Sequence, residues 1–197
     1  MSKHRHFIIH KPYGYLSQFA NNQQKRKNKK LLGELADFPD GTMAIGRLDE
    51  NSEGLLFLTT DGIVSERVRS KKVEKEYYAQ VDGLVTESAL QSMQEGVEIG
   101  FKGEKYTTLP CQVRHLNPAP IFKIRTRPVR DDRHGPTSWV SIILREGKYR
   151  QVRKMTAAVG LPTLRLFRVR IGEVHLGDLE AGGVIEVDDF GLKNGIA

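Results

Sequence analysis

The sequence predicts an α+β fold, with a mixed, largely antiparallel sheet and flanking helices. The segments "KEYYAQV" and "TSWVSIIL" alternate apolar and polar residues at the two-residue period of a half-buried strand. "TESALQSMQEGV" reads as a helix with Thr86 and Glu87 in its first turn and Gly96 near its end, and "GKYRQVRKMTAAVG" reads as another that ends at Gly160. Clear signals of both kinds, without an internal repeat, favour this class.

The remaining elements follow from turn and capping residues. Phe7–Ile9 is predicted to form a strand that runs into a Lys-Pro-Tyr-Gly loop, because Pro12 lacks a donor for strand pairing. "LLGELADF" is predicted to form a short helix, and "TMAIG" and "GLLFLTT" to form strands around a polar loop. Asp61 is placed to cap a helix over "GIVSERVRS". The proline- and arginine-rich segment 117–136 is predicted to run extended over the surface.

The composition indicates a globular protein with a polyanionic partner. The 197 residues are 39% hydrophobic, so we expect one domain (1–197), folded as one body or as two lobes. With 31 Lys and Arg against 24 Asp and Glu, the formal charge of +7 favours a polyanionic partner through steering and counterion release. The single cysteine, Cys111, excludes an intramolecular disulfide, and "FII" is too short for a signal sequence. We therefore expect a cytoplasmic protein without a membrane partner.

Two basic segments allow two interpretations each. Five Lys and Arg residues lie between Lys25 and Lys30, which suits either a phosphate-binding loop or a solvated run of charge. In the helix that ends at Gly160, Arg150, Arg153 and Lys154 lie opposite an apolar stripe. The apolar side would pack, and the basic side would face anions or only solvent. The pattern alone does not choose.

A single carboxylate, Asp49, marks the loop "AIGRLDENSEG". The oxygen ligands Asp49, Asn51 and Glu53 imitate the start of a calcium-binding loop, but Thr60 stands where a bidentate glutamate is required. A structural aspartate that caps a turn is the second interpretation. No histidine, cysteine or second acid stands at a paired spacing, so we expect no metal. His4, His6 and His10 are interpreted as facing the polyanionic partner, which the resemblance described next implies to be RNA, or as disordered.

Three ordered motifs resemble those of the pseudouridine synthases, in the branch that acts on ribosomal RNA. They are "GRLDENSEGLLFLTTDG", "KEYYAQV" and "LREGKYRQVRKMTAAVG". "KPYGYLSQF" near the start and "LRLFRVRIGEVHLGDLEAGG" near the end are similar to that branch as well, so the resemblance covers nearly the whole chain. It implies one catalytic domain with a bent sheet and a central basic cleft, without a separate N-terminal RNA-binding domain.

The resemblance also implies the chemistry. A uridine of large-subunit ribosomal RNA would be isomerised without a cofactor, by a monomeric enzyme, with Asp49 acting as nucleophile at C1' or as base at C2'. Arg153 would hold this carboxylate, and Tyr77 would stack on the uracil and assist a proton transfer. Arg47 would fill the space that the flipped base leaves. The competing hypothesis is a non-catalytic RNA-binding or ribosome assembly factor that uses the same cleft.

The remaining predicted residues bind the substrate. Leu144 corresponds to an apolar family position in the wall of the uracil pocket. Contacts with the RNA backbone are predicted for Lys11, Arg150 and Lys154, and for Arg125, Arg127 and Arg130 of the proline-rich segment. Tyr13 and Phe19 are candidates either for base stacking or for packing. Cys111 and Trp139 are predicted to be packed residues.

Overall fold

The structure is a computed structural model that describes residues 4–20, 28–70, 73–123, 129 and 132–192. Its strands are β1 (His6–Lys11), β2 (Tyr15–Leu16), β3 (Lys30–Leu31), β4 (Met43–Ala44), β5 (Glu53–Thr59), β6 (Lys75–Asp82), β7 (Glu98–Phe101), β8 (Glu104–Thr107), β9 (Gln112–His115), β10 (Thr137–Leu144), β11 (Thr163–Ile171), β12 (Val174–His175) and β13 (Val184–Val187). Its α-helices are α1 (Gly62–Arg69), α2 (Glu87–Glu95) and α3 (Gln151–Ala158). The first unit comprises Met1–Glu74 and Phe167–Ala197, and the second unit comprises Lys75–Leu166.

The first unit contains a mixed sheet. β1 lies between β5 and β13 and pairs antiparallel with both. β5 also pairs antiparallel with β4, and it pairs in parallel with the part of β11 that starts at Phe167. β11 itself begins in the second unit and continues into the first. Antiparallel pairings therefore dominate, with a parallel one among them, which confirms the predicted mixed and largely antiparallel sheet.

β5 is the most buried strand of the first unit, since all seven of its residues are buried. Leu55 and Phe57 point into one apolar cluster, in which the rings of Phe57 and Phe190 stack with their centroids 4.2 Å apart. Leu56 and Leu58 point to the opposite face, into a second cluster. A strand covered on both faces has no polar alternation, which explains the continuous apolar run. It gives the polar loop before it a firm C-terminal anchor.

The second unit packs helices on an antiparallel sheet. β10 lies between β6 and β9 and pairs with both, so the predicted strands are confirmed. The core of this unit contains apolar side chains from β6, β10, α2 and α3, namely Ala79, Val81, Leu90, Met93, Val140, Ile142, Val152 and Met155. β7 and β8 form a hairpin that contacts α3. α3 is therefore held by packing against both the core and the hairpin.

The predicted cap of α1 is confirmed, and Thr86, which was predicted to lie in the first turn of α2, instead caps that helix. Asp61 Oδ1 accepts hydrogen bonds from the backbone N–H groups of Ile63, at 2.8 Å, and Val64, at 3.3 Å. Thr86 Oγ1 accepts one from the N–H of Ala89, at 3.2 Å. Each contact satisfies a backbone donor of the first helical turn. Within the described part of the chain, no helix combines the length and apolar character that crossing a membrane requires.

The helix predicted over "LLGELADF" is wrong, because only the 3-10 turn Leu32–Glu34 forms there. Leu31 pairs in parallel with Leu16, and its extended backbone cannot belong to a helix. Leu32 is fully buried in the core of the first unit. Strand pairing on one side and core packing on the other thus override a local propensity that Gly33 already weakens.

Lys11, at the end of β1, is fully buried. Its ammonium group donates hydrogen bonds to the backbone carbonyls of Pro12 at 2.9 Å, Tyr15 at 2.7 Å and Glu50 at 3.3 Å. All three donors of the ammonium are therefore used inside the protein. Burial lowers the pKa of Lys11 to about 7, and the nearby carboxylates, first that of Glu53, oppose this shift only in part.

The lowered pKa of Lys11 predicts a stability that rises with pH. Between about pH 7 and the ordinary lysine value of 10.5, the unfolded chain binds a proton that folded Lys11 has lost. The free energy of unfolding of the wild type should therefore gain on that of Lys11→Met by up to about 1.4 kcal/mol per pH unit in this window. Urea unfolding of both proteins at several pH values measures the difference. Lys105→Met, at an exposed lysine, is the control and should run parallel to the wild type; parallel curves for Lys11→Met would contradict the prediction.

Gly54 predicts a second stability effect, because it has a φ of +106° and lies against β11. A Cβ at this position would overlap the carbonyl oxygen of Arg168 and lie 2.8 Å from its backbone nitrogen. Gly54→Ala should thus lower the free energy of unfolding by roughly 3 kcal/mol or more, because it strains the backbone and displaces a paired strand. Gly46→Ala isolates the strain, since Gly46 has a φ of +73° with open space around it. Thermal unfolding measures both variants. If their unfolding temperatures fall by the same amount, the contact with β11 is unimportant.

Candidate active site

Asp49 lies in the loop between β4 and β5, in the first unit. The loop alternates in exposure: Arg47 is exposed, Leu48 is buried and Asp49 is half-buried. Immediately after it, the backbone N–H of Ser52 donates to the carbonyl oxygen of Asp49 at 3.0 Å. A buried residue next to a half-exposed carboxylate means that the loop is attached to the core at a position directly beside Asp49.

Ser17 makes that attachment on the N-terminal side of Asp49. Its hydroxyl group donates to the carbonyl oxygen of Leu48 at 2.8 Å and accepts from the N–H of the same residue at 2.9 Å. Ser17 is itself buried, so water competes little for these bonds. One side chain thus satisfies both backbone groups of Leu48. Sequence analysis did not predict this role, although Ser17 stands in the "KPYGYLSQF" motif.

Glu50 is held on the C-terminal side of Asp49. Its carbonyl oxygen accepts from the backbone N–H of Gly14 at 2.8 Å and from the ammonium of Lys11 at 3.3 Å. Its side chain forms an ion pair with Lys29. The segment from Lys11 to Ser17 therefore fixes the residue before Asp49 and the residue after it. A carboxylate held in this way is preorganised, since little conformational freedom is left to lose on substrate binding.

Lys11 is predicted to contact RNA phosphates, which requires an exposed ammonium, but the structure buries it. It has no exposed surface, and its ammonium is bonded to three backbone carbonyls within the first unit. The contribution of Lys11 to the site is therefore the position of the Asp49 loop. Tyr13, in the same segment, is half-buried.

The second unit holds Tyr77 and Leu144. Tyr77 lies on β6, opposite Ile142 of β10, and its half-buried ring packs against the apolar core of this unit. Leu144 ends β10 opposite Lys75 and is a buried member of the same core. The structure thus brings these two predicted residues into one cluster, and the strand period alone would also have made them core residues.

α3 carries the predicted basic residues. Arg150, directly before the helix, has a left-handed backbone with φ +53°. Arg153 is only 9% exposed, which differs from the solvent-facing position that the helical projection predicts, and its Nη1 donates to the carbonyl oxygen of Thr163 at 3.2 Å. Lys154 Nζ donates to the carbonyl oxygen of Gly100 on the hairpin. A buried guanidinium needs partners, because burial of an unpaired charge is costly, and the carbonyl oxygen of Thr163 is one of them.

Glu146 organises the loop before α3, a role that sequence analysis missed. Its buried carboxylate accepts hydrogen bonds from the hydroxyl of Tyr106 at 2.5 Å, the N–H of Leu109 at 2.9 Å and the side-chain amide of Gln151 at 2.6 Å. The bond to Glu146 is also the main reason why the pKa of Tyr106 is raised. The only available signal was the acid inside the basic motif "LREGKYRQVRK".

Among the other singled-out residues, His6, His10 and Phe19 are packed, whereas His4 is exposed. His6 and His10 are buried in β1, so their predicted exposure to RNA is wrong: His6 Nδ1 lies 2.8 Å from Thr59 Oγ1, and His10 Nδ1 lies 2.7 Å from the carbonyl oxygen of Leu179. Phe19 packs edge-on against Phe38, with ring centroids 5.4 Å apart.

Cys111 and Trp139 of the second unit are packed as predicted. The thiol of Cys111 donates to a backbone carbonyl, and burial raises its pKa to about 11, so it is not a reactive thiolate at neutral pH. Trp139 is buried. The predicted basic residues Lys25, Arg26, Lys27, Arg125, Arg127 and Arg130 lie outside the described residues.

Comparison with known proteins agrees with the motifs. Residues 5–158 match the family described as RNA pseudouridylate synthase. A "Ribosomal large subunit pseudouridine synthase E" from Xanthomonas axonopodis pv. citri is 45% identical over 174 residues, which are 87% of this chain and 88% of the relative. A protein of the same name from Vibrio parahaemolyticus is 41% identical over 177 residues, which are 89% of this chain and 70% of the relative.

Solved structures support the same assignment. A structure entitled "Crystal structure of pseudouridylate synthase" superposes with a TM-score of 0.72 and 27% identity, over 95% of this chain and 71% of the other. An archaeal box H/ACA sRNP Nop10-Cbf5 complex shares the fold at 17% identity, with a TM-score of 0.53, over 90% of this chain and 50% of that one. The motif around Asp49, the mixed sheet and the matched family region lead to one conclusion: the chain belongs to the RNA pseudouridylate synthase family and is a pseudouridine synthase.

Proposed function

We propose that this enzyme converts one uridine of large-subunit (23S) ribosomal RNA to pseudouridine, with Asp49 as the essential catalytic residue. The names of the 41–45% identical relatives support the substrate. The observation that carries the role of Asp49 is its position between two anchored residues, Leu48 and Glu50. A formal charge of +7 favours attraction to the RNA backbone.

The reaction needs one carboxylate and no outside energy source. The bond from C1' to N1 breaks, the uracil turns, and a bond from C1' to C5 forms; C5 then loses its proton and N1 gains one, so there is no net oxidation or reduction. Asp49 acts either as a nucleophile at C1' or as a base that removes a proton from C2'. Both routes need a carboxylate that is held in one position beside the ribose, and the two anchors of the loop favour such a fixed position.

The uridine must leave its stack before Asp49 can reach the sugar. We propose that Arg47, the exposed residue two positions before Asp49, occupies the space that the base vacates. Tyr77 would stack on the extruded uracil and assist a proton transfer, and Leu144 would belong to the apolar wall around it. Arg150, Lys154 and Tyr13 would contact the neighbouring nucleotides.

Arg153 is proposed to serve the Asp49 carboxylate directly. A guanidinium can hold a carboxylate through two hydrogen bonds, and this keeps the acid ionised when a base covers it. The burial of Arg153 supports such a role, because an arginine that only contacts phosphates has no need of it. The hydrogen bond from Nη1 to the carbonyl oxygen of Thr163 restricts the orientation of the guanidinium.

Replacement of Asp49 tests the catalytic assignment. Asp49→Asn keeps the shape of the side chain but removes the charge and the basicity, so pseudouridine formation should fall by about 1,000-fold or more. Binding of the same RNA should change less than about threefold. The measurement is chemical mapping of pseudouridine in unmodified 23S rRNA, together with equilibrium binding. Asp40→Asn is the control, since Asp40 is an exposed acid of the same unit outside the residues that hold the Asp49 loop, and this variant should retain turnover. Equal product from Asp49→Asn and the wild type would remove Asp49 from the mechanism.

Arg153 predicts a separation of turnover from binding. Arg153→Ala and Arg153→Lys should both lower single-turnover rates by about 100-fold or more, because lysine cannot reproduce the two-bond geometry. Affinity at low salt should change only a few-fold. Neutralising Lys25, Arg26, Lys27 and Lys30, which leaves the ion pair of Lys29 with Glu50 in place, should do the reverse: it should weaken binding and flatten its salt dependence. Thermal unfolding checks that the lost bond to Thr163 does not explain the effect. Loss of affinity alone in the Arg153 variants would contradict the proposed pairing.

A further inference from the structure

The β7–β8 hairpin of the second unit presents aromatic rings beside lysines. Its turn residues, Lys102 and Gly103, have φ values of +53° and +85°, a backbone that tight hairpins use and that glycine favours. The register pairs Phe101 with Glu104 and Ile99 with Tyr106, so Phe101 and Tyr106 project from the same face. Their ring centroids lie 6.2 Å apart.

Two ammonium groups lie over these rings. Lys148 Nζ is 4.9 Å from the ring centroid of Phe101 and 4.5 Å from that of Tyr106, and Lys102 Nζ is 5.6 Å from that of Phe101. Within the described part of the chain, neither ammonium makes a hydrogen bond or an ion pair. Ring contacts hold a cation in place but leave its donors available for an anion.

Lys148 is also held through its backbone. Its N–H donates to Gln151 Oε1 at 2.9 Å, and its carbonyl oxygen accepts from the N–H of Gln151 at 3.1 Å. Gln151 in turn donates to Glu146, which also accepts from the hydroxyl of Tyr106. The hairpin and the loop before α3 therefore share one buried acid. This arrangement positions the cation in advance, which a freely moving surface lysine would not require.

An exposed aromatic ring adjoins this pair in sequence. Tyr149 follows Lys148 and is 67% exposed, and the ammonium of Lys154 lies 5.4 Å from its ring centroid. Residues 98–107 and 145–154 together carry seven Lys and Arg against three Asp and Glu. Cations combined with an exposed ring favour a ligand that has both phosphates and flat bases. An acidic peptide would use the charge but not the ring.

We propose that Phe101, Lys102, Tyr106, Lys148 and Tyr149 form a lysine–aromatic surface that binds a single-stranded segment of RNA flanking the target uridine. Lys148 and Lys102 contact phosphate oxygens, and Tyr149 stacks on a base. The inference rests on the proposed function for the identity of the RNA. It adds a binding surface that works through affinity and leaves the chemistry at Asp49 unchanged.

The hairpin provides its own matched control. Lys105 lies opposite Gly100 in the register, so its side chain projects from the face opposite to Phe101. Its ammonium lies 2.9 Å from Glu98 and is already paired. Lys105→Gln therefore removes the same charge from the same hairpin without touching the lysine–aromatic surface.

The test measures binding of unmodified 23S rRNA fragments at several KCl concentrations, and turnover on the same RNA. The double variant Lys102→Gln/Lys148→Gln should weaken binding about 5- to 20-fold at low salt and reduce the slope of log K against log salt by about 1.4, from two lost phosphate contacts. Tyr149→Ala should weaken binding at least about fivefold without changing that slope. In both, KM should rise while kcat stays within about twofold of the wild type. Lys105→Gln should bind as the wild type does.

Unchanged affinity in the double variant and in Tyr149→Ala, with unfolding temperatures equal to that of the wild type, would overturn the inference and leave a protein partner as the occupant of this surface. A loss of affinity in those variants supports it. If the wild type binds 23S rRNA with these dependences but forms no pseudouridine in it, the proposed function fails and the surface remains an RNA contact. If the wild type forms pseudouridine in 23S rRNA and the variants have no effect, the proposed function holds and the lysine–aromatic surface is not an RNA contact.

Discussion

The geometry of the Asp49 loop depends on one buried contact, the ammonium of Lys11 bonded to three backbone carbonyls. Two of these carbonyls belong to the segment next to Lys11, and the third belongs to Glu50, far along the chain. Desolvation of a lysine is costly, and the lowered pKa of Lys11 is its signature. The cost is offset only if every donor is used, and this requirement forces the two segments into one arrangement.

In the second unit, a buried carboxylate likewise needs hydrogen-bond partners. Glu146 accepts hydrogen bonds from the hairpin, from the segment after it and from the start of α3. In each unit a buried ionisable side chain, Lys11 or Glu146, therefore organises irregular backbone outside the regular hydrogen-bond ladders. Asp49, the proposed catalytic residue, and Lys148, a proposed contact of the RNA, lie in loops whose neighbouring residues are fixed in this way.

Regular elements followed from sequence where the local signal and the tertiary environment agreed. The long strands β6 and β10 and the capped helices α1 and α2 are such cases, since alternation and capping act over a few residues. The helix at "LLGELADF" failed because pairing of Leu31 with Leu16 is a long-range contact. The burial of His6 and His10 was missed for a related reason: β1 is covered on both faces, and polar residues in such a strand give no local sign of it.

The sequence by itself determined the fold class, the family and the identity of the candidate catalytic carboxylate, because ordered motifs and short-range periodicity are properties of the chain. Only the tertiary structure decided that Lys11 is a buried anchor, that Arg153 is buried against Thr163, and that Lys148 lies over two aromatic rings. Burial and hydrogen-bond partners depend on residues that are distant in sequence. No local pattern encodes which backbone carbonyl a lysine will reach, so these roles became visible only in three dimensions.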